Sequence, residues 1–62
     1  MDFEEIEFYD VIAETDKSWL LDLGDGEQVW FPKSECEIAT QYTGGGGEIL
    51  VPLWLAEKKG LV

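Results

Sequence analysis

Histidine and arginine are absent from this chain, and cysteine occurs once. The missing histidine removes the commonest general base and a favoured transition-metal ligand. The lone Cys36 has no partner for an internal disulfide, so the chain is not a disulfide scaffold. Positive charge is scarce: 4 Lys stand against 14 Asp and Glu, for a formal charge of −10. That balance disfavours direct contact with nucleic-acid phosphate, which needs cationic side chains to displace counterions, and with anionic membrane surfaces. The apolar stretches are a few residues long, far below the roughly 20 needed to span a bilayer. The first residues, Met1-Asp2-Phe3-Glu4-Glu5, are acidic where an export signal would be basic and then apolar. One thiol and no such signal point to the cytoplasm. Length is short as well: 62 residues make one domain, 1–62, with no room for a second lobe or a dinucleotide fold.

What is present is apolar. Hydrophobic residues make up 45% of the chain and include Trp19, Trp30 and Trp54, so the low-hydrophobicity condition for acidic disorder is not met. The composition describes a small domain held by aromatic side chains, each able to bury about 150–250 Å². Self-association, as a homodimer, is one way for so small a core to gain stability.

The tract Gly44-Gly45-Gly46-Gly47 reads as a flexible loop and divides a body, residues 2–43, from a C-terminal unit, residues 48–62. Residues 3–14 read as a strand in which Ile6 and Phe8 share one face, and Tyr9, Val11 and Ala13 the other. The apolar phase slips near Tyr9-Asp10, which predicts a bulge or a strong bend. Thr15-Asp16-Lys17 is a turn by composition. Residues 19–23 and 27–31 then flank Gly24-Asp25-Gly26, which fits a three-residue hairpin loop with Gly26 left-handed. That register opposes Leu23 to Glu27, Leu21 to Val29 and Trp19 to Phe31, gathering all but Glu27 on one apolar face. A two-residue loop at Asp25-Gly26 would shift the register and scatter these residues. The preferred register makes Leu20 and Trp30 neighbours on the opposite face. Pro32 ends that strand, and Cys36 to Thr43 is ambiguous. Glu48-Ile49-Leu50-Val51 reads as a final strand, Pro52 as the first turn of a helix through Lys58 and Lys59, and Gly60 as its cap. Four or five short strands and a short C-terminal helix are the parts of a mainly β fold, a small SH3-like or reduced OB-like barrel.

The run Val29-Trp30-Phe31-Pro32-Lys33-Ser34, with the tail from Ile49 through Pro52, Trp54 and Lys58-Lys59-Gly60 to Leu61, resembles short uncharacterised proteins of bacteriophages and bacterial mobile elements. The similarity covers residues 11–34 and 48–62. It implies an intracellular setting, a bacterial cell or a phage-infected host, and attaches no activity, cofactor or site residue.

Several constellations invite a chemical reading. Asp22-Leu23-Gly24-Asp25-Gly26-Glu27 imitates a calcium loop, but glycine stands at its third and fifth positions, where oxygen ligands are required. No metal and no cofactor are expected. Carboxylate pairs such as Glu4/Glu7 or Asp22/Glu27 lack the pocket that a glycosidase uses to raise one pKa. Cys36, between Glu35 and Glu37 and with no histidine to activate it, is a poor nucleophile. No catalytic residue is assigned, and an enzyme is not expected.

Two binding surfaces remain. The N-terminal acids include Glu5, Glu7, Asp10, Glu14 and Asp16; a line of carboxylates imitates spaced phosphates and fits a basic groove on a nucleic-acid-handling protein. The plainer reading is a solubilising face that guards an edge strand. Alternatively Leu20, Trp30 and Trp54 form an aromatic contact surface for self-association or peptide binding, with Lys33 and Ser34 at its rim. The plainer reading there is that Leu53, Trp54 or Leu55 folds over Trp30 as a second small core. The leading expectation is a small acidic domain that binds a basic protein surface, in the manner of a phage-type inhibitor; the SH3-like aromatic module is the alternative.

Overall fold

The computed structural model describes residues 2–62; Met1, where the acidic N-terminal reading begins, lies outside the described residues. Six strands and one helix follow in order: β1 (Phe3–Phe8), β2 (Asp10–Glu14), β3 (Ser18–Gly24), β4 (Glu27–Pro32), β5 (Glu37–Gln41), β6 (Gly47–Pro52) and α1 (Leu53–Lys58). They form two antiparallel three-stranded sheets, ordered β1-β6-β5 and β2-β3-β4. The fold is mainly β, as the composition indicates, with six strands rather than four or five. One additional strand comes from the break at Tyr9. Another comes from the ambiguous segment, whose residues 37–41 pair with β6.

The break at Tyr9 is the bend that the slipped apolar phase predicts. Phe8 still pairs with Gly47 in one sheet, the Tyr9 N–H donates to the Asp22 carbonyl at 2.8 Å, and Asp10 pairs with Asp22 in the other sheet. The chain therefore passes from one sheet to the next within two residues. Ile6 and Phe8 point inward as expected, and so does Val11. Ala13 does not share their face. A bulge between Val11 and Ala13 adds one residue, turns Ala13 outward opposite Leu20, and leaves Ile12 exposed.

The β3–β4 hairpin has the expected register at Trp19–Phe31, Leu20–Trp30 and Leu21–Val29. Its loop, however, is the two-residue form: Asp25 (φ 54°) and Gly26 (φ 76°) lie between paired Gly24 and Glu27. Two positive φ values make a type I′ turn, whose twist suits a hairpin. A bulge between Asp22 and Gly24 absorbs one residue, Leu23, and restores the core-forming register. The Asp22 carboxylate accepts the Gly24 N–H at 2.8 Å and holds that bulge.

One cluster of buried side chains joins the sheets: Phe8, Ile49 and Val51 from the first, Leu21 and Phe31 from the second. Full burial of each is worth about 1.5–3 kcal/mol. Pro32 and the turn after it place Cys36 in the same cluster. Pro52 closes β6 and stands one residue before α1, as its N-cap rather than in its first turn. The helix ends as expected near Gly60 (φ 73°): the Gly60 N–H reaches the Glu57 carbonyl at 3.0 Å, and Leu61 N–H reaches Ala56 at 2.9 Å. This paired 5→2 and 6→1 arrangement is a Schellman motif, and it returns Leu61 to the core. No described helix is long and apolar enough to cross a membrane.

Gly44–Gly46 lie in the β5–β6 connection, and Gly47 enters the sheet. Tyr42 N–H donates to the Gly46 carbonyl at 2.7 Å, closing the β5–β6 turn, and Gly47 is the first residue of β6. A Cβ on Gly47 would collide with the Thr40 carbonyl oxygen and stand 2.9 Å from Cζ of Phe8. Gly47→Ala should therefore cost about 3 kcal/mol or more, the upper range for overpacking, measured as a fall in urea midpoint at unchanged slope. A loss below about 0.5 kcal/mol, the range of ordinary surface changes, would show that the β5 backbone at Thr40 gives way along with Phe8.

Candidate acidic interface

Cross-strand pairing decides which carboxylates meet. In the β1-β6-β5 sheet, Glu7 is opposite Glu48, which in turn is opposite Thr40; Glu5 is opposite Leu50, which is opposite Glu37. Directly paired residues project to the same side. Glu5, Glu7, Glu37 and Glu48 thus occupy the outer face, while Ile6, Phe8, Ile49 and Val51 point inward. Neighbouring strands lie about 4.8 Å apart and alternate residues along a strand about 7 Å apart, so the carboxylates form two short rows.

Lysines are absent from β1, β5 and β6. The single ion pair among the described residues joins Lys33 to Glu14 of β2, and Lys33 also lines a groove beside Glu37 and Leu50. Like charges directly opposite, as at Glu7 and Glu48, oppose the pairing. The neighbouring Tyr42 registers this field. The Glu48 carboxylate holds its phenol above the ordinary pKa, with smaller contributions from desolvation, Glu7 and Glu5.

Of the five N-terminal acids singled out by sequence, only Glu5 and Glu7 belong to this face. Asp10 is on β2, opposite Asp22 in the second sheet, and its Oδ1 accepts the Val11 N–H at 2.9 Å. Glu14 sits opposite Trp19 and is paired with Lys33, whose ammonium also lies 5.3 Å from the Trp19 ring centre. Asp16 is in the β2–β3 turn. Reading the strand as one line missed Glu37 and Glu48, which arrive from strands remote in sequence. Their signal was the alternation of Glu37 with Ile38 and of Glu48 with Ile49.

The aromatic set also divides. Leu20 and Trp30 are cross-strand neighbours on the outer face of β2-β3-β4, and Trp30 remains 44% exposed. The helix packs against β6 and β1 and commits Leu55 and Ala56 to the main core, leaving Trp54 half exposed. The second small core over Trp30 is therefore not formed. Helix packing follows the two side chains that reach the large core, and Trp54 is not one of them.

Cys36 is buried, and its thiol pKa is pushed up to about 11, chiefly by burial, with Lys59 opposing and Glu35 adding. The thiolate is accordingly suppressed at neutral pH. Beside it a shallow groove of about 330 Å³ is lined by Phe3 and Leu50 on its apolar side, with Lys33, Glu35 and Glu37 among its polar residues. No three metal-ligating side chains gather among the described residues.

In a Tyr9→Phe background, which leaves one phenol, Glu48→Gln should lower the Tyr42 titration midpoint seen by ultraviolet absorbance. An unchanged midpoint would place Glu48 away from Tyr42. No protein family, curated protein or solved structure matches the chain.

Proposed function

We propose that this chain is a small acidic binding domain whose β1-β6-β5 outer face engages a basic surface on another protein. The partner class that fits is a nucleic-acid-handling protein, with the carboxylate rows standing in for phosphates as in a phage-type inhibitor. The carrying observation is the grouping of Glu5, Glu7, Glu37 and Glu48 on one face of three strands that contain no lysine, with Lys33 reaching only the groove at the Glu37 end. Such a surface speeds encounter with a cationic partner and rejects anionic ones. Its action is binding rather than catalysis, in the cytoplasm of a bacterial cell. For the finer architecture, the bend from β1 into β2 supports reading the two sheets as one curled small barrel, SH3-like or reduced OB-like, unpaired between β4 and β5.

The test is capture from bacterial lysate on the tagged protein with elution in salt steps, followed by titration of the captured partner. Glu5→Lys combined with Glu7→Lys should weaken binding at least tenfold at low salt. Both positions are exposed, and a lysine at position 7 would face Glu48 as an attractive cross-strand pair, so the fold should persist. A complex indifferent to both salt and charge reversal would sink the reading.

The exposed Leu20–Trp30 pair supports a second reading, an aromatic self-association module. On that reading, sedimentation equilibrium should show a salt-tolerant dimer that Trp30→Ala converts to a folded monomer. A wild-type protein monomeric at all concentrations would remove this alternative.

A further inference from the structure

β4 and β5 are consecutive in the chain, yet they do not pair. The ladder of β4 is with β3 and that of β5 is with β6. Among the described residues, no main-chain hydrogen bond reaches Glu37–Gln41 from any element other than β6. In an antiparallel ladder alternate residues turn their N–H and C=O groups away from the partner. The outer side of β5 is therefore a row of unpaired donors and acceptors.

Edge strands are usually blunted by lysine, proline, bulges or a covering element. Of the other three edge strands, β4 ends in Pro32, β2 carries the bulge between Val11 and Ala13, and β1 lies against β3 and α1. β5 contains neither lysine nor proline; its one irregularity is the shift between Ile38 and Thr40, and Ala39, Thr40 and Gln41 are all exposed. This edge also adjoins the carboxylate rows. Glu37–Leu50–Glu5 and Thr40–Glu48–Glu7 both start on β5 and run across the sheet. A strand added beside β5 would place every second side chain in line with those rows, about 5 Å from Glu37.

We infer that the free edge of β5 takes an extended, lysine-rich segment of the partner protein as a fourth strand of the β1-β6-β5 sheet. Main-chain hydrogen bonds would hold the segment, and alternate lysines would meet Glu37 and Glu48. The choice of a basic segment rests on the acidic-face reading; the choice of β5 rests on the unpaired edge.

The probe is a ten-residue peptide of alternating Lys and Val, titrated onto the full chain by fluorescence anisotropy. Two further versions carry backbone N-methyl groups, one at every Lys and one at every Val. Strand addition predicts that one methylation pattern weakens binding at least tenfold while the other has little effect. It also predicts slowed hydrogen exchange within residues 37–41. Equal binding of all three peptides would overturn strand addition and leave a purely electrostatic acidic face standing. Methylation-sensitive binding that ignores salt and the Glu5→Lys/Glu7→Lys reversal would retain the edge and discard the acidic-face reading. Failure of the parent peptide to bind at low salt would overturn both.

Discussion

The ring of Phe8 lies over Gly47, its own cross-strand partner, and the architecture follows from that contact. Phe8 is the last residue of β1 and is fully buried; two residues later the chain belongs to the other sheet. An aromatic ring laid over a strand glycine fills the space a side chain would leave and fixes the register there. Once Phe8 and Gly47 are matched, Ile6 meets Ile49, and Val51 follows on the same inner face. The outward face is then also determined, because strand side chains alternate. The acidic rows are thus a by-product of the same pairing that builds the core.

Charge contributes little to holding the fold. The core contains no buried polar or charged side chain among the described residues, and Lys33–Glu14 is a partly exposed pair. Exposed pairs of that kind are worth about 0–1 kcal/mol. Apolar burial provides the stability, while the carboxylates on β1, β5 and β6 oppose one another. On the proposed reading, a cationic partner would relieve the repulsion on this face. The same repulsion disfavours two copies meeting through this face, so self-association would have to use the Trp30 side.

Much of the fold was legible because local rules agreed. In the β3–β4 hairpin, only one register placed Trp19, Leu21, Val29 and Phe31 together, and burial enforced it. The loop type is not legible in the same way, because the bulge at Leu23 uncouples loop length from register. Lys58, Lys59 and Gly60 marked the helix end through short-range chemistry. By contrast, Gly44–Gly47 reads as flexible by composition, since nothing nearby shows that Phe8 would press on Gly47. The acidic face was half legible: Glu5 and Glu7 share a strand, whereas Glu37 and Glu48 join them only through pairings between distant segments. Asp10 and Glu14 read as part of the same line in sequence, and the bend at Tyr9 carries them to the other sheet.

The order of pairing also bears on how the chain acquires this structure. The ladders β2–β3, β3–β4 and β5–β6 each join neighbouring elements, and tight turns connect them. The β1–β6 ladder is different, pairing residue 6 with residue 49. Contacts between distant residues require loop closure before they return any stabilisation, and they slow folding. The β2-β3-β4 meander and the β5–β6 hairpin are therefore expected to form first, with the barrier where the chain's beginning docks beside β6. That step brings Glu5 and Glu7 beside the Glu37 and Glu48 already gathered in the hairpin, so the direct Glu7–Glu48 repulsion is met there. Added salt would screen that encounter, making folding of this domain faster in brine than in dilute buffer.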